Sequence, residues 1–349
     1  MITGQRLLDD RLPPTLPIQG DHDVGTVRRL ASAAARSQGL GAVQEGRVCL
    51  AATEIATNAM KYARSGRVLV RLVEDDTRHG VELLAIDSGP GMTDARARMV
   101  DGYSTGGSLG GGLGAISRAA DLFDIYSAAG RGTVLVARFW DAPAPPVTEG
   151  GFLVGAVAEA IGGESVSGDA WVAYQRGSRA VALVVDGLGH GPDAARASET
   201  AVRTFRQHHR EPVEQIMAQI HDELRATRGA AVAMAEIDRD RGRLRFCGIG
   251  NVCSLILAAG KPIHLMSQYG IAGHQAPRIT AFEAAWTEGA SMVMHSDGLS
   301  ERWDLGGYPD LRRHHPLLTA ATISRDASRR PDDATVLVLR GVDGADPGA

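Results

Sequence analysis

Apolar residues return at helical spacing twice near the start of the chain. Between residues 23 and 37 they recur every three or four positions, which predicts a first helix. Between residues 43 and 63 a longer apolar stripe predicts a second helix, formed by Val48, Ala52, Ile55, Ala59 and Tyr62. The remaining predicted elements of this half are a helix at 115–122 and strands at 67–73, 81–86, 123–127 and 133–139. This pattern is typical of a mixed α/β domain.

The pattern changes after residue 150, where short apolar and alternating runs dominate. Predicted strands lie at 152–160, 170–174, 180–185, 230–237, 243–248, 254–258, 291–294 and 335–339, and predicted helices at 192–208 and 212–225. Many strands with few helices favour a sandwich of two sheets with helices outside. Three prolines between Asp141 and Val147 interrupt both helix and strand. We therefore predict a first domain at 1–141, a linker at 142–150, a second domain at 151–341 and a flexible tail at 342–349.

Composition narrows the class of protein. The 349 residues carry a net charge of −4 with dispersed arginines, which gives no reason to expect a nucleic-acid partner. No apolar run reaches the roughly 18 residues of a membrane span. Arg6, Asp9 and Asp10 occupy the region where a signal peptide would be apolar. We expect a cytoplasmic protein that contacts neither nucleic acid nor membrane.

The first half contains three groups of residues suited to a bound nucleotide. Glu54 and Asn58 lie four positions apart, so they share one face of the second predicted helix. An amide oxygen can ligate Mg²⁺ and a carboxylate can accept a proton, although such pairs also occur on ordinary solvent-facing helices. Asp87 ends a predicted strand, and Gly89 and Gly91 follow it. This spacing permits close approach of a ligand, but it is equally good turn chemistry.

A third group is the glycine-rich segment 102–114, which leads directly into a predicted helix. It includes Gly110, Gly112 and Gly114. Small residues before a helix N-terminus expose backbone N–H groups that suit a phosphate. A flexible linker is the alternative, and it fits less well because Tyr103 and Leu109 interrupt the polar and glycine residues.

The order of these three groups resembles the GHKL (Bergerat) ATP-binding fold over residues 20–140. Two segments, Asp101–Thr105 and Gly130–Thr133, are similar to those of the RsbT-type serine/threonine switch kinases of partner-switching pathways. The resemblance implies ATP and Mg²⁺ as cofactors, with Asn58 as the metal ligand, Glu54 as the general base and Asp87 as the adenine partner. The implied nucleotide contacts are Gly89, Gly91, Gly110, Gly112 and Gly114.

The second half contains four aspartates at the ends of predicted strands: Asp169, Asp186, Asp297 and Asp332. A sandwich of sheets can bring such residues together from distant parts of the sequence. Converging carboxylates repel one another unless cations lie between them, and two hard cations can activate a water molecule for attack on phosphate. An aspartate before a glycine is also a common turn, so no single one of them is specific.

The segment Asp186–Gly191 is followed in order by the motifs that contain Asp297 and Asp332. Over residues 150–341 this order resembles the metal-dependent protein phosphatases (PPM family), in their SpoIIE-like and RsbX-type branch. The resemblance implies an αββα sandwich with two Mn²⁺ or Mg²⁺ ions bridged by Asp186. Gly187, through its carbonyl, Asp169, Asp297 and Asp332 would complete the metal shells. Many relatives carry a second aspartate where this chain has Val172, which leaves a third metal position open.

Together the two resemblances imply a bifunctional kinase and phosphatase of STAS-domain partner proteins. They imply a downstream sigma-factor pathway or a cyclase-type effector. Two alternatives stay open: a phosphatase regulated by an ATP-binding domain without catalysis, and a binding protein that sequesters a partner. Glu54 argues against the first alternative, because a pure sensor has no need of a base.

Overall fold

The computed structural model describes residues 6–9, 15–63, 65–74, 77–95, 112–143, 151–162, 164, 166–276, 278–328 and 332–342. The helices are α1 Asp21–Ser37, α2 Ala42–Tyr62, α3 Gly112–Ala119, α4 Pro192–His208, α5 Val213–Glu223 and α6 Pro316–Ala327. The strands are β1 Arg6–Asp9, β2 Thr15–Ile18, β3 Gly66–Glu74, β4 His79–Asp87, β5 Leu122–Ser127, β6 Thr133–Trp140, β7 Phe152–Glu159, β8 Asp169–Arg176, β9 Arg179–Gly187, β10 Ala230–Asp238, β11 Arg243–Ile249, β12 Cys253–Leu257, β13 Ile263–Leu265, β14 Phe282–Ala285, β15 Ser291–His295 and β16 Ala334–Gly341.

The first domain is one five-stranded antiparallel sheet with helices on one face. Its strand order is β2-β3-β4-β6-β5, and α1, α2 and α3 cover the same side. The apolar stripe of α2 forms the core there: Val48, Ile55 and Ala59 pack with Val68 and Leu83 of the sheet. The two long helices and the strand pairs therefore form as predicted, while α3 lies three residues earlier than predicted.

The second domain is a sandwich of two antiparallel sheets. Their orders are β1-β8-β9-β10-β11-β14 and β13-β12-β15-β16-β7, and a buried core of small and aromatic side chains fills the space between them. Helices α4 and α5 cover the first sheet. The predicted mixed α/β class is confirmed. Arg6–Asp9 lies within the predicted first domain, but it pairs with β8 and so extends a sheet of the second.

Helix α6 covers the other side of the sandwich, and the pattern of apolar positions does not predict it. The residues from Pro316 to Ser324 are all buried, because α6 lies between β7 and β16 of the second domain and the open face of the sheet of the first domain. An amphipathic pattern requires one polar face, and a helix enclosed on all sides has none.

The two domains share one hydrophobic core through α6. Leu84 and Val136 of the first domain belong to the same buried cluster as Leu318 and Ile323 of α6 and Val338 of the second. Counted from α4 and α5, the layers are therefore helices, the two sheets of the second domain, α6, the sheet of the first domain and the helices α1 to α3. The sequence predicts two domains joined by a proline-rich linker, and in the structure the two domains pack against each other through α6.

Polar contacts frame the shared core. Arg67 forms an ion pair with Glu159 at 2.9 Å, and Arg71 contacts the backbone of the second domain. Asp124 accepts hydrogen bonds from the His315 amide and from the His314 ring, both at 2.7 Å. At the other end of the chain, Val342 remains buried and donates to the Gly151 carbonyl, so the packed region continues one residue into the predicted tail.

Candidate functional site

Helix α2 places Glu54 and Asn58 side by side, one turn apart and half-buried. Gly112, the first residue of α3, lies directly against both. A methyl group in place of the Gly112 hydrogen would lie 2.9 Å from Glu54 Oε2 and 3.6 Å from Asn58 Nδ2. Glycine thus allows the N-terminus of α3 to approach this pair, and the free N–H groups of a first helical turn suit a phosphate.

Asp87 ends β4 with its carboxylate held by backbone amides. Its Oδ1 accepts from Gly89 N at 2.7 Å and from Thr133 N at 3.2 Å. Burial raises the pKa of Asp87, while these amides and the charge of Arg325 act in the opposite direction. The side chain is therefore oriented by its surroundings and can accept a hydrogen bond from a ligand amine.

The glycines after Asp87 are required by close packing. A side chain at Gly89 would lie 2.6 Å from the Tyr62 carbonyl, at the end of α2. Gly91 has φ +66°, and a side chain there would lie 2.0 Å from the Ala128 carbonyl in the β5–β6 turn. The loop is thus fixed between α2 and the hairpin.

The structure places part of the predicted nucleotide site along α2. Glu54 and Asn58 meet Gly112, and the loop with Gly89 packs against the end of the same helix. Gly114 is buried within α3, where it contributes to packing. Gly110 lies outside the described residues.

Strand register assembles the second candidate site. Asp169 of β8 and Asp186 of β9 are directly opposite one another in the antiparallel pair, so their side chains lie on the same face of the sheet. Asp169 is buried, and its Oδ2 accepts a 2.5 Å hydrogen bond from Ser296 Oγ of the other sheet. The bond between Asp169 and Ser296 therefore joins the two sheets at the site. Ser296 Oγ also accepts a hydrogen bond from Thr335 N at 2.9 Å, within its own sheet.

Asp297 and Asp332 approach the same end of the sandwich. Asp297 follows β15 and Asp332 precedes β16, two strands that pair antiparallel. Asn251 Nδ2 donates to Asp297 Oδ2 at 2.7 Å. A side chain at Gly298 would lie 1.8 Å from the Asp333 carbonyl, so only glycine permits this crossing.

Asp333 supports the site without facing it. Its Oδ1 accepts from Ile161 N and its Oδ2 from Gly168 N, both at 2.7 Å. Both oxygens are therefore occupied by backbone amides, which fixes the segment that leads into Asp169.

The four carboxylates influence one another strongly. Burial, followed by the charges of Asp169, Asp297 and Asp332, raises the pKa of Asp186 to about 9. Burial also raises the pKa of Asp169 to about 7, against the hydrogen bond from Ser296. Within the described part of the chain, no three Asp, Glu, His or Cys side chains lie close enough together to hold a metal ion between them. Converging hard oxygen donors with unrelieved repulsion nevertheless fit divalent cations such as Mg²⁺ or Mn²⁺.

Three neighbouring positions qualify the predicted set. Gly187 ends β9 with its N–H bonded to the Gly168 carbonyl, and a side chain there would lie 2.3 Å from the Ala194 carbonyl. Val172 is fully buried against the α4–α5 layer, so it offers no metal ligand. His190 is exposed and contacts Glu164 Oε1 at 3.1 Å, as a loop histidine does.

Sequence reasoning missed three residues that hold the predicted ones in place. Ser296 and Asn251 contact Asp169 and Asp297, and Arg325 donates to the Asp87 carbonyl. Ser296 had one signal, its place beside Asp297. Asn251 and Arg325 had none, because their partners lie 46 and 238 positions away.

Comparisons with known proteins divide the chain in the same way. Residues 20–139 match the family described as the histidine kinase-like ATPase domain, and residues 176–341 match that of stage II sporulation protein E (SpoIIE). The serine/threonine-protein kinase RsbT of Bacillus subtilis (strain 168) is 37% identical over 123 residues, which are 35% of this chain and 92% of that protein.

Solved structures resemble the larger part of the chain. One comes from the study "The bacterial stressosome: a modular system that has been adapted to control secondary messenger signaling". It is 32% identical, covers 54% of this chain and 99% of that one, and has a TM-score of 0.50. A second, RsbX in complex with magnesium, is 20% identical over 55% of this chain and 96% of that one, with a TM-score of 0.47.

Proposed function

Since the chain belongs to the RsbT-type histidine kinase-like ATPases, with a SpoIIE-type domain joined behind, we propose that it both phosphorylates and dephosphorylates a protein partner. The first domain is an ATP-dependent serine/threonine kinase. The second is a metal-dependent phosphatase of phosphoserine or phosphothreonine. The observation that carries this proposal is that one chain contains both Glu54 beside Asn58 and a set of four converging aspartates.

In the kinase reaction, each residue of the proposed nucleotide site has a distinct task. Asn58 would hold the Mg²⁺ that enters with ATP, whose charge offsets that of the phosphates. Asp87 would accept from the adenine amine and so fix the base. Glu54 would orient the serine or threonine hydroxyl and take its proton as the oxygen attacks the γ-phosphorus. The bond between the γ-phosphorus and the bridging oxygen of the β-phosphate would break, and ADP would leave. The first turn of α3 would stabilise the phosphate oxygens through its backbone N–H groups.

In the phosphatase reaction, two divalent ions would be held by the carboxylates of Asp186, Asp169, Asp297 and Asp332 and by the Gly187 carbonyl. Bound Mn²⁺ or Mg²⁺ supplies an acidified water molecule as the nucleophile for phosphoester hydrolysis. Ser296 and Asn251 would keep the carboxylates of Asp169 and Asp297 oriented toward the ions. The phosphoester bond breaks, and inorganic phosphate leaves with the hydroxyl restored.

The partner in this proposal is a STAS-domain protein of a partner-switching pathway, and the setting is the cytoplasm. Downstream, its phosphorylation would control a sigma factor or a cyclase-type effector. The support is the RsbT relationship of the first domain. Among the described residues, no helix is long and apolar enough to cross a membrane.

Two substitutions separate the activities. With ATP, Mg²⁺ and a candidate STAS partner, Asp186→Ala should accumulate phosphorylated partner, measured by intact-protein mass spectrometry. Glu54→Ala should transfer no phosphate but still bind ATP, because Asp87 and the glycine loop are untouched. Glu54→Ala should also remove phosphate from a prephosphorylated partner as fast as the unchanged protein.

Other outcomes identify the alternatives. Tight ATP binding without transfer to any partner, together with working hydrolysis, would indicate a phosphatase with an ATP-sensing domain. Stable partner binding with neither activity would indicate a sequestering protein. If Asp186→Ala hydrolysed the phosphorylated partner as fast as the unchanged protein, the assignment of Asp186 as a metal ligand would be wrong.

A further inference from the structure

A residue of the second domain contacts the loop assigned to adenine. Arg325, in the last turn of α6, donates from Nη1 to the Asp87 carbonyl oxygen at 3.0 Å. The Arg325 side chain is only 5% exposed, so this contact is made inside the domain interface. The same Nη1 would lie 3.0 Å from a side chain at Gly132, and a side chain there would lie 2.1 Å from the Asp87 carbonyl. Arg325 thus reaches the point where β4 ends and the hairpin packs against it.

Arg325 is held rigidly by its own domain. Its Nε donates to Asp326 Oδ1 at 2.7 Å, and its Nη2 donates to the Tyr308 hydroxyl at 3.2 Å. Tyr308 also donates to Asp326, which closes a ring of three side chains. Because the guanidinium is planar, these bonds aim the remaining donor at Asp87 and leave it little freedom.

The geometry points to Arg325 as a positioning residue of the nucleotide site, through which the second domain completes the adenine-binding loop of the first. This inference rests on the proposed ATP-dependent function. Gly89 and Thr133 fix the Asp87 carboxylate from within the first domain, whereas Arg325 fixes the backbone of the same residue from the second. Removing that hold allows the end of β4 to shift, and the carboxylate shifts with it.

Charge supports the same role. Asp87 is half-buried, and burial raises its pKa, which favours the neutral acid. The positive charge of Arg325 opposes this effect. An ionised carboxylate has no proton to donate and only accepts hydrogen bonds, so it suits the exocyclic amine of adenine and not the oxo group that guanine carries there. Arg325 therefore contributes to the choice of base as well as to affinity.

Arg67 offers a matched control. It also crosses the interface, where it pairs with Glu159 at 2.9 Å and donates to Ser324 Oγ of α6 at 3.4 Å. In the β3–β4 pair it lies opposite Ile86 and not opposite Asp87. Arg67→Met and Arg325→Met remove the same chemical group from the same interface. A general weakening of the interface would therefore affect ATP binding equally in both.

The experiment measures binding of a non-hydrolysable ATP analogue and of its guanine counterpart to the full chain by calorimetry. Arg325→Met should raise the Kd for the adenine analogue about tenfold, the loss expected for one hydrogen bond to a charged group. Guanine-analogue binding should change little, so the preference for adenine narrows. Arg325→Lys keeps the charge and a donor near Asp87. It should recover roughly half of the lost preference, taken as the logarithm of the ratio between the Kd values of the guanine and adenine analogues. Arg67→Met should bind like the unchanged protein.

Unchanged adenine affinity in Arg325→Met, or equal loss of both analogues, would overturn the positioning role. Equal losses in Arg325→Met and Arg67→Met would also overturn it. If Arg325→Met fails to fold, Arg325→Lys decides: a reduced adenine preference with intact folding supports the role, and an unchanged preference overturns it. Failure of the unchanged protein to bind either analogue would instead refute the proposed kinase function, and this role with it.

Discussion

Leu318→Ala in α6 should weaken both domains at once. Leu318 is fully buried in the cluster that also contains Leu84 of the first domain and Val338 of the second. Because residues of both domains pack in that one cluster, the loss of packing should lower the stability of both domains. If the domains were instead independent units joined by a linker, only the second domain, which carries α6, would lose stability.

The expected magnitude follows from burial and size. Replacing a fully buried leucine by alanine costs roughly 3 kcal/mol, from lost transfer free energy and the cavity left behind. At about 2.1 cal/mol/K per residue, unfolding the whole chain has an entropy near 0.7 kcal/mol/K, so Tm should fall by about 4 °C. An independent second domain of about 190 residues would show a fall of about 7–8 °C.

Differential scanning calorimetry with parallel circular dichroism distinguishes the two cases. The unchanged protein and Leu318→Ala should each show one transition, and an ATP analogue should raise the whole transition through linkage. Two transitions, with only one moved by the substitution and the other by the nucleotide, would refute the shared core.

Two further predictions concern charge. Burial raises the pKa of Glu82, but Arg71 and Arg138 outweigh it and lower the pKa to about 2. The stabilisation that ionised Glu82 gives the folded state is therefore present above pH 4.5 and is lost as pH falls toward 2. Glu82→Gln should lower the free energy of unfolding by roughly 3 kcal/mol at neutral pH, measured by urea unfolding. A decrease of less than about 1 kcal/mol would contradict this role. At the second site the raised pKa values of Asp186 and Asp169 mean that metal-free stability falls as pH rises from about 4 to 9. The Tm gain from excess Mn²⁺ should consequently be larger at about pH 8 than at about pH 5.5, and an equal gain would argue against binding among these carboxylates.

Local pattern predicts elements whose buried positions follow a regular spacing or a largely apolar run. Helix α2 forms near its predicted bounds because it buries one stripe of its surface. Strand β4 also forms near its predicted bounds, and its largely apolar run from Val81 to Ile86 fits a strand that is buried on both faces. Helix α6 escapes prediction because the neighbouring domain removes its polar face. The joint of prolines indicates where the chain changes domain, but it contains no information on how the two sheets pack.

The candidate sites divide along the same line. Glu54 and Asn58 are predictable as a pair because helical spacing alone brings them together. The aspartates are predictable as strand-end residues. The pairing of Asp169 with Asp186 depends on the register of β8 and β9, which cannot be read from the sequence. The contact of Arg325 with Asp87 depends on docking of two domains and has no local signature.

A pulse and chase of phosphate on one partner tests most directly whether a single chain both adds and removes phosphate. The chain and a STAS partner are incubated with ATP, Mg²⁺ and Mn²⁺, and ATP is then removed with apyrase while mass spectrometry records the partner. Phosphorylated partner should appear with ATP and disappear after ATP is removed, and it should persist with Asp186→Ala. No phosphorylation even with Asp186→Ala, or loss of phosphate at the same rate in that variant, would contradict this prediction.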